Sequence, residues 1–359
     1  MLQLQTRMLV QYYYPFSLSP SRLDRYLAAG WFRNSIMLFR SRLLCMEGDL
    51  FNVVNIRLPI NEYILSKRYK KLLRKNKEQF TYKISRASID MDKERLYEAH
   101  KPRFKGFIYN DLHQFLYSDT ISSVFHTYEI EVRDKSGKLV ALSYFDRGHH
   151  SIASLIGIYD PAYSKYSLGT FTMLLEIEHA MSLGFKYYYP GYIFDKPSVF
   201  DYKLKLGNFE YYDWRGKWKP YTDFQQVESY AGHLKTKVDQ IKKELKYYGL
   251  SFSEQVYPLF PLGYMDKTID PFVKSPMFLQ IGDSPFYKKE VLFEYNSDDD
   301  KYSVSLVAKC PEYNHLLKMQ RNYIIQNNTD NISVLKYIRR IAYSHSPEVV
   351  VKRYLSWIR

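Results

Sequence analysis

Apolar positions recur with helical spacing at several places along the chain. Leu23, Tyr26 and Leu27 fall at i, i+3 and i+4 behind Ser19 or Ser21, and Gly30 closes the run, which predicts a capped helix. Ser66 heads a second helix, 67–76, with Tyr69, Leu72 and Leu73 as its buried stripe and Asn76 as its C-cap. Further helices are expected over 90–100 and over 167–183, the latter with Leu174, Ile177 and Met181 inward and Gly184 at its end. A long lysine-rich amphipathic helix spans 223–248. Two more close the chain at 312–325 and 333–357, the second broken before Pro347.

Between these helices the pattern shortens to strands. Candidates lie within 31–44, at 53–60, 81–85, 126–133, 138–145, 151–159 and 185–189. Asp134-Lys-Ser-Gly137 joins two of them as a hairpin turn, and Asn296-Ser-Asp-Asp-Asp300 joins 289–295 to 302–309. Strands interleaved irregularly with helices argue for an α+β fold rather than a doubly wound sheet. Three parts are expected: a small basic N-terminal α+β domain at 1–80, a mixed-sheet domain at 81–222, and a helix-rich extension at 223–359 made of a helix, a hairpin and two helices.

With 359 residues, 46% apolar and 17% aromatic, the chain can bury a core and is not a disordered polymer. No apolar run approaches the ~18 residues of a membrane span, and no apolar segment follows the N-terminus as in a signal peptide. Cys45 and Cys310 are the only cysteines, too few for a thiolate metal site or a disulfide framework. A soluble, reduced, cytoplasmic protein without metal or cofactor is expected. The net charge of +14 favours a polyanionic partner, with nucleic acid the usual one.

The common enzyme signatures (GxxxxGK[ST], GxGxxG, HExxH, GxSxG, CxxC) are absent. His149 and His150 are adjacent at a strand start, so they cannot share one face and are read as structural or surface residues. Two blocks carry possible chemistry. In the first, Tyr159-Asp-Pro-Ala-Tyr-Ser-Lys-Tyr-Ser-Leu-Gly-Thr170, a strand and loop lead into a helix start at Ser167, Leu168 and Gly169, whose amides and dipole suit a phosphate or carboxylate. The second, Tyr187-Tyr-Tyr-Pro-Gly-Tyr-Ile193 with Phe200-Asp-Tyr-Lys203, lines a strand end with phenols able to stack and to hydrogen-bond. In the second helix Lys67, Arg68, Lys70, Lys71, Arg74 and Lys75 have no acidic residue among them, which favours an external phosphate partner.

Taken together, the two blocks, with Glu176-Ile177 on the helix between them, resemble the C-terminal domain of the arginyl-tRNA–protein transferases and their bacterial leucyl relatives. Leu18-Ser-Pro-x-x-Leu-Asp-x-Tyr-Leu-x-x-Gly-Trp31, Arg57-Leu-Pro59 and Ser66-Lys-Arg68 are similar to that family's N-terminal domain. The likeness covers residues of about 10–220. It implies a GNAT-like acyltransferase fold and transfer of an amino acid, arginine or leucine, from aminoacyl-tRNA to an acidic protein N-terminus, as in an N-degron pathway. The family's cysteine-rich motif is reduced here to Cys45 within Arg42-Leu-Leu-Cys-Met-Glu-Gly-Asp49, so metal regulation is not expected. Residues beyond 222 have no counterpart in the short bacterial members.

Such a reaction is aminolysis of an activated ester. An α-amine with a pKa of about 7.7–8.0 is already partly neutral at pH 7, so alignment and oxyanion donors are the main requirements. Asp160, Ser167, Gly169, Tyr192 and Lys203 are the expected catalytic residues, with Asp160 taking a proton or binding the amine and Lys203 neutralising an acidic N-terminal side chain. Tyr159, Leu168, Tyr189, Gly191 and Tyr202 are expected to line the substrate pocket, and the six basic residues from Lys67 to Lys75 to hold tRNA. Two alternatives remain at this level: an acyl-CoA N-acyltransferase, and a non-catalytic RNA- or protein-binding descendant.

Overall fold

The structure, a computed structural model, describes residues 8–46, 48–104, 108–226, 229–265, 271–281, 289–313 and 333–359. Its strands are β1 (Val10–Tyr13), β2 (Phe32–Asn34), β3 (Met37–Ser41), β4 (Leu43–Met46), β5 (Asp49–Pro59) and β6 (Thr81–Arg86). They continue with β7 (Thr127–Arg133), β8 (Leu139–Arg147), β9 (Ser151–Tyr159), β10 (Tyr187–Tyr189), β11 (Tyr192–Phe194), β12 (Glu210–Tyr212) and β13 (Trp218–Pro220). The last five are β14 (Ser253–Val256), β15 (Met277–Ile281), β16 (Lys289–Asn296), β17 (Lys301–Lys309) and β18 (Leu335–Ser344). Helices are α1 (Pro20–Ala28), α2 (Lys67–Gln79), α3 (Met91–His100), α4 (Leu112–Tyr117), α5 (Leu168–Ser182), α6 (Tyr230–Tyr247) and α7 (Pro347–Ile358). Among the described residues no helix is long and apolar enough to cross a membrane.

Two compact units divide the chain: Tyr13–Arg40 with Val54–Gln226, and Met1–Tyr12 with Ser41–Val53 and Val227–Arg359. The first is mixed α+β, as the strand and helix pattern implies. Its sheet runs β13-β12-β5-β10-β9-β8-β7-β6, with β5 entering through its later residues. Only the β10–β9 pair is parallel, with Tyr187 opposite Ser151 and Tyr189 opposite Ala153; each other neighbouring pair along the order is antiparallel. Helix α5 packs on β8 and β9 through Phe171, Leu174 and Ile177, all fully buried. Each such side chain contributes about 1.5–3 kcal/mol by leaving water. Met181, expected on the same face, is exposed, because Ala180, three residues after Ile177, takes the inward position in the last turn.

Helix α2 starts where Ser66 Oγ accepts from the Tyr69 amide at 3.3 Å, as its sequence predicts. It runs past Asn76 to a C-cap at Phe80. Asn76 is buried instead, because its side-chain amide is used in a tertiary contact described below. The N-terminal elements are fixed by polar anchors: Asp24 of α1 accepts from the amides of His149 and His150 at 3.1 and 2.8 Å. Both histidine side chains are exposed. Arg33 donates to Asp146 at 2.8 Å and Thr127 at 2.7 Å under the Phe125 ring, with the carboxylate fully buried.

The second unit departs from the expected helix-rich extension. It holds a five-stranded antiparallel sheet, β14-β15-β16-β17-β18, with α6 and α7 packed on it. The expected closing helix 333–357 is strand β18 followed by α7, with Ser346 capping α7 at the Val349 amide. The expected helix 223–248 is a 3-10 turn, Tyr221–Gln226, and then α6 from Tyr230. The expected helix 312–325 lies outside the described residues apart from its start.

Candidate functional site

The site is built where three segments of the first unit converge: the loop and start of α5, the turn after β10, and the 3-10 turn Asp201–Leu206. Helix α2 bolts two of them down. Its Tyr69 hydroxyl donates to the Lys205 carbonyl at 2.8 Å, and its Asn76 side-chain amide donates to the Tyr166 carbonyl at 2.9 Å. Residues seven apart on a helix share a face and sit about 10 Å apart along the axis. The stretch ending at Ser167 and the stretch carrying Lys203 are therefore held on one side of the same helix.

Ser167 adopts left-handed backbone angles, φ 52° and ψ 44°, and precedes α5 without capping it by its side chain. The first intrahelical bond is from the Phe171 amide to the Ser167 carbonyl at 3.0 Å. The amides of Leu168, Gly169 and Thr170 are thus helix-start donors with no intrahelical acceptor. Leu168 itself points into the core, fully buried, so it offers its amide and not its side chain. The Tyr159 ring lies 3.6 Å from where a Cβ on Gly169 would stand. On its other side this ring meets His100, 4.8 Å between centroids, with the Arg103 guanidinium 5.2 Å from its centre.

Lys203 is the central group. Its Nζ donates to the Tyr192 carbonyl at 3.0 Å and lies 4.9 Å from the Phe200 ring centre and 5.7 Å from that of Tyr192. The rings of Phe32 and Phe194 extend this aromatic wall, 5.1 and 5.6 Å from Tyr192. Gly191, at φ +88°, turns the chain beneath the amine, and a Cβ there would stand 3.7 Å from Nζ. No carboxylate lies within ion-pair distance of Lys203 among the described residues. The residue keeps some exposed surface, but its ammonium end is enclosed, and that burial pulls its pKa down to about 7. The same burial pushes the Tyr192 phenol up to about 12, so it stays a neutral donor.

Tyr202, next to Lys203, is half exposed, yet burial raises its phenol, with Glu176 and Tyr159 adding to the shift. Glu176, quoted above within the motif but given no role there, has an unusual setting. It sits fully buried on α5, where the Tyr188 hydroxyl donates to it at 2.7 Å. Burial pushes it up to about 7. A glutamate between Leu175 and Ile177 in an apolar helix stretch is the signal that could have marked it.

The structure does not bring every expected residue to this place. Asp160 forms an ion pair with Lys138 at 2.7 Å and caps the following turn at the Ala162 amide, 2.9 Å. Against the opposing effect of burial, these partners hold its carboxyl below the usual range, which makes it a loop anchor and a poor base. Tyr189 faces away from Tyr188, as adjacent strand residues must. It is buried with Tyr187 and Trp218, against which Arg57 stacks at 3.9 and 4.4 Å while pairing with Glu210 at 2.7 Å. The six basic residues of α2 are all exposed, and none forms an ion pair among the described residues. Also among the described residues, no group of three or more His, Cys, Asp or Glu side chains is placed to hold a metal.

Comparison with known proteins bears on the same stretch. A family model described as arginine-tRNA-protein transferase, C terminus, matches residues 68–213. An aspartate/glutamate leucyltransferase from Leptospira interrogans is 27% identical over 199 residues, covering 54% of this chain and 76% of that protein. Another from Shewanella sp. is 28% identical over 194 residues, covering 52% and 76%. Among solved structures, a GCN5-related glucosamine N-acetyltransferase region of a fungal enzyme aligns with a TM-score of 0.30 and 13% identity, covering 55% of this chain and 23% of that one. The resemblance that the motifs carry is therefore shown: residues 68–213 match the C-terminal domain of the arginine-tRNA-protein transferases.

Proposed function

We propose that the chain is an aminoacyl-tRNA–protein transferase, which moves an aminoacyl group from charged tRNA to the α-amine of a protein beginning with aspartate or glutamate. The observation that carries the reading is the Lys203 amine, enclosed by rings beside Gly191 and donating to the Tyr192 carbonyl, with no carboxylate in ion-pair distance among the described residues. A cation kept apart from every neighbouring carboxylate is suited to receive one from outside. An arriving Asp or Glu side chain raises the pKa of Lys203 by pairing with it, so binding takes up a proton around neutral pH. Tyr202 and Tyr159 then flank the α-amine, and the helix-start amides of Leu168 and Gly169 stabilise the oxyanion as the amine attacks the ester. Ser167 fixes the backbone that aims them, and Asp160 fixes the loop.

The exposed α2 cations would take the tRNA backbone, since Lys67, Arg68, Lys70, Lys71, Arg74 and Lys75 lie on the helix that anchors both sides of the cleft. Leucine is the favoured cargo, because the Leptospira and Shewanella relatives are named leucyltransferases. Incubation of the full chain with leucyl- or arginyl-tRNA and peptides starting with Asp, Glu, Lys or Ala tests this by mass spectrometry. A leucine increment on the Asp and Glu peptides alone is expected. Modification of the Lys peptide in preference to the acidic ones, or of none, would overturn it.

A further inference from the structure

Two phenols hold the turn that carries Lys203. The Tyr69 hydroxyl, on α2, donates to the Lys205 carbonyl at 2.8 Å. The Tyr63 hydroxyl, between β5 and α2, donates to the next carbonyl, that of Leu206, at 2.9 Å. Both therefore act on the end of the 3-10 turn Asp201–Leu206. The Tyr63 ring also presses on the backbone that follows, since a Cβ on Gly207 would stand 2.9 Å from its Cε2 and 3.0 Å from Leu58 Cδ1. At the start of the turn the Asp201 carboxylate accepts from the Ser198 amide at 3.1 Å and from its hydroxyl at 3.0 Å.

Packing alone does not call for these two hydroxyls. Tyr69 lies on the buried stripe of α2 with Leu73, and Tyr63 packs against the same core, so phenylalanine would fill either place. The hydroxyls serve the backbone instead. A 3-10 turn has poorer hydrogen-bond geometry than an α-helix, and the last carbonyls of a helical turn lack internal donors. Burial pushes the Tyr63 phenol up to about 12, with Tyr69 adding to the rise, so it stays a protonated donor at neutral pH.

What the turn places is the Lys203 ammonium, which donates to the Tyr192 carbonyl at 3.0 Å and lies among the rings of Phe200 and Tyr192. A lysine ammonium is a point charge on a flexible stem, without the fixed fork of an arginine. Its location depends on where its own backbone is held, and the two phenol anchors follow it by two and three residues. A misplacement of about 1 Å at such a contact can cost about a hundredfold in rate.

We propose that Tyr63 and Tyr69 are positioning residues that set the preference for acidic acceptors, by holding through the Lys205 and Leu206 carbonyls the turn that aims Lys203 at the incoming carboxylate. This rests on the transferase reading, in which Lys203 receives that carboxylate. Neither phenol touches a reacting atom, so their removal acts on acceptor choice and not on the chemistry common to all acceptors.

The full chain is compared with Tyr63→Phe, Tyr69→Phe and the double variant in two arms. In the kinetic arm, each single variant lowers kcat/KM on an Asp-initial peptide by about three- to tenfold, through KM. The double variant lowers it by at least about tenfold, and all three stay within about twofold of the wild type on an Ala-initial peptide. In the second arm, which needs no turnover, NMR follows the Lys203 side-chain nitrogen through a pH titration. Its midpoint, near 7 in the wild type, moves upward in the double variant toward that of an ordinary lysine as the loosened turn lets the ammonium reach water. A folded double variant with the wild-type preference for Asp over Ala overturns the proposal, as does an unmoved midpoint, even where the variant is less stable. If the wild type transfers nothing from any charged tRNA, the transferase reading fails and the acceptor-choice role with it; the NMR arm then still decides whether the two phenols place Lys203.

Discussion

Two lysines of the first unit are taken out of water in opposite ways. Lys93, on α3, is fully buried, and its Nζ meets Glu129 at 2.8 Å and Glu131 at 3.0 Å. Burial alone would lower it, but the two carboxylates outweigh that and raise its pKa. Lys203 is enclosed by aromatic rings and one carbonyl, and burial carries it down to about 7. The first ammonium is compensated within the fold and has nothing left to offer a ligand. The second has no carboxylate partner, so burial favours its neutral form, and its charge is restored when a carboxylate is brought to it.

The largest expected effect that sharpens this contrast falls on Lys93. Its replacement by Met strands the buried carboxylate of Glu129 and the half-buried one of Glu131, and removing one partner of such a group destabilises by about 3–5 kcal/mol, read as a drop in the urea midpoint. Lys203→Met should leave that midpoint unchanged or raise it. If both replacements destabilise alike, the distinction between a structural and a receptive cation is lost.

Glu176 supplies the acidic counterpart, a buried carboxyl met by hydroxyls and by no cation. Its folded pKa of about 7 stands above its ordinary 4.5, so the folded state holds the proton more tightly than the unfolded chain. The wild type therefore bears no penalty below pH 4.5, a growing one as pH rises to about 7, and a constant one of roughly 3 kcal/mol above. Glu176→Gln should be the more stable protein at pH 8 and gain nothing at pH 4.5. A stability gap independent of pH would contradict the burial of that carboxyl.

Smaller effects concern function. Lys203→Met should lower kcat/KM on Asp-initial peptides by about ten- to a hundredfold, the worth of one charge-assisted hydrogen bond, and barely affect Ala-initial ones. In the wild type, KM for acidic peptides should rise as pH climbs above 7, by at most about tenfold per unit, because the free lysine is then neutral and must gain a proton to pair. A KM flat from pH 7 to 9 would mean that Lys203 is charged throughout.

Much of the frame supporting these groups was legible in advance. Ser66 before a basic amphipathic run, Asp134-Lys-Ser-Gly137 between alternating strands, and the apolar stripe of α5 each dictate local structure through capping, turn chemistry or period. Strand β18 was not legible. Its pairing with β17 shifts register twice, between Val304 and Ser305 and between Leu306 and Val307, and those irregularities break the two-residue alternation that marks a strand. The site was half legible. Lys203 and Gly191 stand in a recognisable motif, but which of two adjacent tyrosines faces the core with Glu176 depends on the sheet's register, which turns Tyr188 toward Glu176 and Tyr189 into the separate cluster on the opposite face. Asp160 read as a base because its partner Lys138, just ahead of β8, lies too far back in the chain for any local pattern to show the pair.

The most direct test follows the Lys203 side-chain nitrogen by NMR through a pH titration, with and without an Asp-initial peptide. A midpoint near 7 in the free protein, moving upward with the Asp-initial peptide and not with an Ala-initial one, is the expected result. A midpoint near that of an ordinary lysine, or one indifferent to both peptides, would contradict an amine held open for an acidic chain terminus.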